Sequence, residues 1–324
     1  MKRWERPARP LPLRARPMKN ETVVSFVARL AAANDFPVSL LLRTIGDCVP
    51  GKHVLDRDAR LNAAALDRLV VLSRTPAEHL RRALPTLLTA PQYVPLPTGR
   101  PVLRFFRGDP HPLLACRICT LQHGPATPVA WEYRSLNRFV CLSHHRWIGE
   151  GPHLDLRSAP EIVAAQVQYA DLAARIGHNA TYKALTTSWQ MTFRWLREKR
   201  HPALISRWTT RAATLGADRQ LPGSVRFPEI VQLMEVTGDP DWRRHVAMVE
   251  QPDLRIFYRH TARRLGIEPD AFTTGNSQSD PLAEWVRILR HRFATIRDEL
   301  WRGHYRQPNW RAELTPFPES CHFE

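Results

Sequence analysis

The stretch from residue 158 to residue 177 reads Ser158-Ala-Pro-Glu-Ile-Val-Ala-Ala-Gln-Val-Gln-Tyr-Ala-Asp-Leu-Ala-Ala-Arg-Ile-Gly177. It opens like a helix N-terminus, because a serine cap and a glutamate three positions later satisfy two backbone N–H groups, and proline is favoured in the first turn. Apolar residues then recur at helical spacing until Gly177, the residue type that most often follows the end of a helix. The stretch therefore predicts a long helix with one buried face.

The rest of the C-terminal half has the same helical character. Glycine and proline signals, such as Thr237-Gly-Asp-Pro240 and Gly275-Asn-Ser277, separate further amphipathic segments. We therefore expect residues 158–324 to form an all-helical C-terminal domain and the fold class to be mainly α. The further predicted helices span residues 179–199, 202–213, 228–236, 240–250, 252–265 and 281–302.

The composition indicates a folded and strongly basic protein. Among its 324 residues, 47 are Lys or Arg and 31 are Asp or Glu, so the formal net charge is +16. This excess points to a polyanionic partner. A hydrophobic fraction of 43% excludes wholesale disorder.

The chain has no run of about 18 uncharged apolar residues and its N-terminus lacks a signal-peptide core, so we expect a soluble, cytoplasmic protein with no membrane partner.

The first 19 residues are basic and rich in proline. They contain one acidic residue, Glu5, and the pattern predicts a basic flexible arm over residues 1–19. A solvated tail and a segment that becomes ordered along DNA phosphates both fit this pattern. The basic residues are Lys2, Arg3, Arg6, Arg9, Arg14, Arg16 and Lys19, and the prolines are Pro7, Pro10, Pro12 and Pro17.

Residues 20–88 predict a helix-turn-helix-like region. Two of its helices meet at the turn Ser73-Arg74-Thr75, where Thr75 and Glu78 form a second capping box. If the second helix enters a DNA groove, Arg74, Arg81 and Arg82 are its candidate DNA contacts. A plain helical hairpin is the alternative. The predicted helices cover residues 20–34, 61–72 and the segment after Thr75, and residues 38–45 predict a short apolar helical turn.

Residues 89–157 predict a proline-rich linker followed by a zinc-binding module with a small β element like that of a zinc ribbon. Seven prolines lie between residues 85 and 115, which is too many for a helix. This segment is therefore either a linker packed over a surface or a set of short edge strands around Val102–Phe106.

The strongest signal in the chain is the pair of motifs Cys116-Arg-Ile-Cys119 and Cys141-Leu-Ser-His144. Two pairs of soft ligands, each separated by two residues, can surround one tetrahedral Zn²⁺ ion, and four protein ligands leave no position for water or substrate. We therefore predict a structural zinc site formed by Cys116, Cys119, Cys141 and His144. Buried, reduced cysteines near an unrelated histidine are the alternative interpretation.

The 21 residues between the two motifs predict a small hairpin. Residues 128–133 and 138–140 are rich in β-formers, and Ser135, Leu136 and Asn137 are available for the turn. His145 and His123 are rival ligands, but they rank below His144, whose two-residue spacing from Cys141 matches the first motif.

The absence of common catalytic motifs argues against an enzyme. The sequence contains no Gly-x-Ser-x-Gly, His-Glu-x-x-His or Gly-x-Gly-x-x-Gly motif. Residues 46–52 match the start of a phosphate-binding loop, but His53 replaces the hydroxyl residue that would hold Mg²⁺. Scattered acids, including Asp239, Asp241 and Glu299, keep a metal-dependent nuclease as a minor alternative.

Several of these residues together resemble the TniQ family of transposon-associated proteins. The similarity rests on a proline-flanked basic segment, an ET..S...RLA..N segment and the two zinc-ligand motifs, and it covers roughly residues 10–175. The matching stretches are Pro12-Leu-Arg-Ala-Arg-Pro17, Glu21-Thr-Val-Val-Ser25-Phe-Val-Ala-Arg29-Leu-Ala31-Ala-Ala-Asn34, Ala115-Cys-Arg-Ile-Cys119 and Val140-Cys-Leu-Ser-His144-His-Arg-Trp147.

The resemblance implies a non-catalytic adaptor that helps to select the target site in DNA transposition. Such proteins bind DNA or connect a targeting complex to a transposition ATPase, and some join CRISPR effectors as homodimers. The resemblance also implies zinc ligation by Cys116, Cys119, Cys141 and His144. Many family members carry a second zinc motif, whereas no further cysteine pair follows His144 here. A host-encoded DNA-binding regulator unlinked to transposition is the main alternative function.

Overall fold

The computed structural model contains two compact units, Met1–Ser135 and Leu136–Glu324. The fold is mainly α, as the sequence predicts, with a few small sheets. The division between the units lies inside the predicted 89–157 module, so the two cysteine motifs are described with different units. The structure describes residues 2–49, 58–88, 99–106, 111–123, 129–134, 138–149, 153–217, 221–248, 253–273 and 279–301.

The first unit combines short helices with a three-stranded sheet. Its longest helices begin at good caps: the Thr22 hydroxyl accepts from the Ser25 N–H at 3.0 Å, and the Oδ1 atom of the Asn62 side chain accepts from the Ala65 N–H at 3.0 Å. The elements are α1 (Val23–Ala33), α2 (Val38–Ile45), β1 (Asp47–Val49), β2 (Asp58–Leu61), α3 (Ala63–Ser73), α4 (Ala77–Ala83), β3 (Val102–Phe106), β4 (Leu113–Leu114), α5 (Arg117–Gln122) and β5 (Trp131–Glu132).

The sheet of the first unit has the order β1-β3-β2, so β3 is its central strand. It pairs parallel to β1 and antiparallel to β2. The sequence allowed a linker or edge strands here because of the surrounding prolines. In the structure this segment is a central strand, because Leu103 near its start is fully buried in the same core as α1 and α3.

Residues 2–19 do not form the flexible arm that we predicted from their charge. Leu11, Ala15 and Met18 are buried, and the Leu11 N–H donates to the Leu72 carbonyl at 3.0 Å. The side chain of Asn34 adds two hydrogen bonds to the backbone of Leu13. The apolar residues between the arginines therefore attach this segment to the first unit, while most of its basic side chains remain exposed.

The turn between α3 and α4 differs from the predicted capping box. The Thr75 hydroxyl donates back to the Ser73 carbonyl at 3.3 Å, and α4 begins at Ala77 with no side-chain cap. Glu78 instead pairs with Arg82 one turn further along the helix. The turn residue Arg74 has a positive φ of 53° and ends α3.

In its described residues, the second unit is helical apart from one hairpin. All the predicted helices of this half are present, with shifts of a few residues at their ends. The elements are β6 (Val140–Cys141), β7 (Arg146–Trp147), α6 (Pro160–Ile176), α7 (His178–Arg197), α8 (Pro202–Leu215), α9 (Gly223–Thr237), α10 (Pro240–Met248), α11 (Leu254–Leu265) and α12 (Pro281–Trp301).

Helix α9 is the central helix of the second unit, and it begins before Pro228, where the sequence predicted its start. Proline inside a helix removes one backbone hydrogen bond and costs roughly 3 kcal/mol. Burial offsets this cost, because α9 packs against α6, α7, α8, α10 and α11 and Phe227, Ile230 and Val231 on either side of the proline are fully buried.

A buried carboxylate on α9 satisfies the polar groups of its neighbour α8. Glu229 accepts from the indole N–H of Trp208 at 3.0 Å and pairs with Arg211 at 3.0 Å. Arg211 also pairs with Glu161 at 2.7 Å, so the glutamate of the predicted capping box binds an arginine of α8 rather than its own helix start. The charged groups in this core therefore have partners.

None of the described helices is both long and apolar enough to cross a bilayer alone. Helices α1 and α2 meet that criterion only as a pair, and they are bent by 116° at the break between them.

The buried carboxyl group of Asp58 accepts hydrogen bonds from the N-terminus of α1. One oxygen of Asp58 accepts from the backbone N–H groups of Val23, Val24 and Ala59, at 2.8, 3.4 and 2.7 Å. Removal from water raises the pKa of Asp58 to about 6, despite these hydrogen bonds, which lower it. The folded protein therefore retains a proton between pH 4 and pH 6 that the unfolded chain releases.

We expect Asp58→Asn to change the pH dependence of stability. Because the folded-state pKa is raised, the wild-type free energy of unfolding should fall as pH rises from about 4 to about 6, by about 3 kcal/mol from this group. The amide cannot ionise, so the stability of the variant relative to wild type should increase over the same interval. Urea denaturation of both proteins at several pH values measures this difference, and a constant difference from pH 4 to pH 7 would contradict the assignment.

Candidate metal centre

The first cysteine motif lies at the start of α5. Cys116 is the residue that precedes the helix, and its carbonyl accepts from the Thr120 N–H at 2.9 Å, while Cys119 lies in the first turn. Before the motif, Ala115 donates to the Ala130 carbonyl at 2.8 Å, beside the pairing of β4 with β5. The backbone on both sides of Cys116 is therefore held by hydrogen bonds, and both thiols are brought to one end of a short helix.

The second motif is the turn of the β6–β7 hairpin. Cys141 ends β6 opposite Arg146, and the His144 N–H donates to the Cys141 carbonyl at 3.3 Å. The Nδ1 atom of His144 lies 3.5 Å from the Sγ atom of Cys141. His145 has a positive φ of 47°, which lets the chain return into β7. Both side chains consequently project from the same tight turn.

The hairpin of the second motif is attached to the helices of the second unit. The Gln166 side-chain oxygen of α6 accepts from the backbone N–H groups of Phe139 and Val140, at 2.7 and 3.1 Å. Trp147 is buried, with its ring centroid 5.3 Å from that of Phe227 on α9. The helical core thus fixes the strand that carries Cys141.

Four ligand atoms converge, one each from Cys116, Cys119, Cys141 and His144, and all lie within 4.8 Å of one another. In a tetrahedral site with Zn–S near 2.3 Å and Zn–N near 2.0–2.1 Å, ligand atoms are about 3.6 Å apart. The 3.5 Å separation between Cys141 and His144 has this value. Two cysteines of the set are buried and the other two ligands are half-buried, so the donor set could bind a metal ion.

The structure separates the predicted ligands from their rivals. Within the described residues, the group that could hold a metal contains neither His145 nor His123. His145 is exposed, and His123 ends α5, where burial and the charge of Arg29 lower its pKa. Cys48 lies in β1, where burial raises the pKa of its thiol to about 11. That thiol is neutral at physiological pH and is not part of the group.

The predicted hairpin between the motifs is wrong. Trp131–Glu132 pairs with Leu113–Leu114, which precedes the first motif, and Val140–Cys141 pairs with Arg146–Trp147, which follows the second. Each β-rich segment therefore pairs with a strand that lies outside the region between the two motifs. The second motif itself forms the tight turn of a hairpin, and the first motif forms the start of a helix. The predicted turn residues Ser135, Leu136 and Asn137 lie outside the described residues.

Sequence reasoning missed a buried polar network that supports the first motif. Glu21 and Arg29, which are 0% and 2% exposed, pair at 2.8 Å, and the Ser25 hydroxyl donates to the same carboxylate oxygen at 2.8 Å. Arg29 also donates to the carbonyls of Arg16 and His123, at 2.6 and 3.3 Å. We call Glu21, Ser25 and Arg29 the α1 network. The spacing of the ET..S...RLA..N segment is visible in the sequence, but its structural role is not.

The α1 network also reaches the strand that pairs with β4. The Ser25 hydroxyl accepts from the Trp131 N–H at 2.9 Å, and the Thr22 N–H donates to the Trp131 carbonyl at 2.9 Å. Asn34, the last residue of the same segment, binds the backbone of Leu13. These residues are therefore scaffold residues that hold the N-terminal segment, α5 and β5 around α1.

The three predicted DNA contacts are exposed in the first unit. Arg74 lies in the turn after α3, and Arg81 and Arg82 lie in the last turn of α4. Arg82 pairs with Glu78, and their side chains are 71% and 69% exposed. The adjacent carboxylate offsets the charge of Arg82, so Arg74 and Arg81 contribute most of the positive charge at this turn.

The acids considered for a nuclease site have local structural roles. Asp239 caps α10 by accepting from the Asp241 and Trp242 N–H groups, at 2.8 and 3.2 Å. Asp241 pairs with Arg244 at 3.3 Å, and the side chain of Glu299 lies outside the described residues. The described positions of Asp239 and Asp241 therefore do not form a cluster that could hold Mg²⁺.

Comparison with protein-family models, with curated proteins and with solved structures found no match to this chain.

Proposed function

We propose that this protein is a non-catalytic, TniQ-like DNA-binding adaptor for target-site selection in DNA transposition, with one structural Zn²⁺ ion. The observation that carries the proposal is the convergence of Cys116, Cys119, Cys141 and His144. Three thiolates and one imidazole favour zinc over the hard cations Mg²⁺ and Ca²⁺, which prefer oxygen ligands. A shell of four protein ligands leaves no open position, so the ion would stabilise the fold rather than activate a substrate.

The charge of the chain supports the DNA-binding part of the proposal. A net charge of +16 favours association with phosphates, and exposed arginines are present in both units. The proposed protein partners are a transposition ATPase or a targeting complex, and the proposed assembly is a homodimer. These partners follow from the TniQ resemblance and rest on it alone.

We expect the purified protein to bind duplex DNA with a steep dependence on salt. Each phosphate contact releases a condensed counterion, so the affinity should fall by roughly 10³-fold or more between low and physiological salt if several arginines take part. Fluorescence anisotropy with a labelled duplex measures this slope. Absence of binding at low salt would contradict the proposed function.

Capture of the native complex tests the adaptor role. We expect the tagged protein, isolated from its own cells, to retain nucleic acid together with an ATPase or a targeting complex. The same sample incubated with Mg²⁺ and labelled DNA should leave the DNA uncut, and cleavage that survives further purification would indicate an enzyme instead. Recovery of the protein with DNA but without any ATPase or transposition protein would favour a regulator over an adaptor.

A further inference from the structure

Helix α11 of the second unit has two sharply different faces. Its buried face contains Leu254, Phe257 and Leu265. Phe257 lies 5.9 Å from Trp285 of α12 and 5.7 Å from Trp242 of α10, measured between ring centroids. Helices α10 and α12 therefore pack against one side of α11, and this packing determines which of its residues face solvent.

The outward face carries Arg255, Arg259 and Arg263, all of them exposed. We call these three residues the arginine row. Residues four apart lie on the same face of a helix, and a rise of 1.5 Å per residue makes the row about 12 Å long. Ile256, which follows Arg255 in the sequence, is 58% exposed, so an apolar side chain borders the row.

The positive charge of α11 is only partly balanced. The helix has four arginines and no acid. Arg259 pairs with Asp270 at 3.3 Å, and Arg264 pairs with Glu235 of α9. Within the part of the chain that the structure describes, Arg255 and Arg263 pair with no carboxylate. Burial, together with Arg264 and Arg263, lowers the pKa of His260, which is the direction expected beside excess positive charge.

Helix α11 fits duplex DNA better than α4, which carries the contacts predicted from sequence. Helix α4 has seven residues, and Glu78 pairs with one of its two arginines. Helix α11 has twelve residues, and three of its four exposed arginines lie in one row. An α-helix fits the major groove, where arginines reach phosphates on the groove edge and an apolar side chain can contact a thymine methyl group.

We propose that the arginine row of α11 binds the phosphate backbone of duplex DNA along the edge of the major groove. This proposal rests on the DNA-binding function proposed above and adds the surface that performs it. The row supplies charge at fixed spacing on a helix whose other face is held by α10 and α12. Its expected contribution is affinity and orientation on the duplex, with little sequence discrimination.

The test compares DNA binding by four full-length proteins. They are the wild type, the triple variant Arg255→Ala, Arg259→Ala and Arg263→Ala, the corresponding triple Lys variant, and the triple variant Arg74→Ala, Arg81→Ala and Arg82→Ala. The two Ala variants lose the same charge, so a difference between them reports position rather than net charge. Exposed arginines in helices tolerate alanine well, and circular dichroism checks that each variant is folded.

We expect the α11 Ala variant to bind a labelled duplex roughly tenfold more weakly, with a salt slope lower by about 2–3 units, because three phosphate contacts are lost. The Lys variant should keep most of the affinity, since lysine also binds phosphate. The α4 variant should lose less than the α11 variant.

Two results would overturn the proposal, and they differ in what else they affect. If the wild type binds DNA and the α11 Ala variant binds with the same affinity and salt slope, the arginine row is not the surface and the proposed function is unaffected. If the wild type does not bind duplex DNA at low salt, both the surface and the proposed DNA-binding function are wrong.

Discussion

Replacing Cys119 with serine should remove the metal from the protein and destabilise both cysteine motifs. A serine hydroxyl is a poor zinc ligand, and the binding free energy of structural zinc in small domains is about 10–16 kcal/mol at neutral pH. Loss of even part of this free energy should lower the melting temperature by roughly 10 °C or more. Elemental analysis should show about one zinc per wild-type chain and far less in the variant.

Local measurements identify the origin of this effect. Hydrogen exchange should become faster in α5 and in the β6–β7 hairpin, which carry the ligands. Cys48→Ser is the matched control, because Cys48 lies in β1 and is not part of the ligand group. The control should retain metal and stability. If Cys119→Ser keeps both its zinc and its melting temperature, the four residues do not form a metal site.

Replacing Arg29 with methionine should cost about 3–5 kcal/mol of stability, the range for removing one partner of a buried ion pair. Glu21 is completely buried, and among the described residues it would keep the Ser25 hydroxyl and the Met18 N–H as donors. The carbonyls of Arg16 and His123 would also lose a donor. Urea denaturation of the wild type and the variant measures the loss.

A double-mutant cycle separates the ion pair from the other contacts of Arg29. We expect Glu21→Gln together with Arg29→Met to cost clearly less than the sum of the two single changes, because the double variant leaves no unpaired buried charge. The exposed pair Glu78–Arg82 provides the control, and Arg82→Met should change stability by less than about 1 kcal/mol. Equal effects of Arg29→Met and Arg82→Met would show that the α1 network does not stabilise the fold.

The candidate metal ligands could be identified from sequence because their chemistry depends on short spacing. Cys116 and Cys119, and likewise Cys141 and His144, are separated by two residues, and such spacing places both side chains on one turn of either a helix or a hairpin. The rival His145 is adjacent in sequence to His144. Its exclusion required the structure, in which His145 is exposed and is not part of the group.

The residues around the ligands could not be predicted in the same way. Glu21 and Arg29 are eight residues apart, beyond the three- and four-residue spacings that indicate pairing on a helix. Their further partners, Arg16 and His123, come from distant parts of the chain. Likewise, the charge of residues 2–19 indicated an arm, whereas the burial of Leu11, Ala15 and Met18 depends on a core formed by other segments.

The sequence alone determined most of the helices of this protein, though not α5, and the pairing of ligands within each motif. Apolar periodicity and two-residue ligand spacing both act within about four residues, so they can be recognised without knowing the fold. The tertiary structure decided which strands pair, that β3 lies at the centre of a sheet, and that residues 2–19 pack on the first unit. Strand pairing and burial join segments that are far apart in the chain, and their energies depend on surfaces that exist only after the helices have packed.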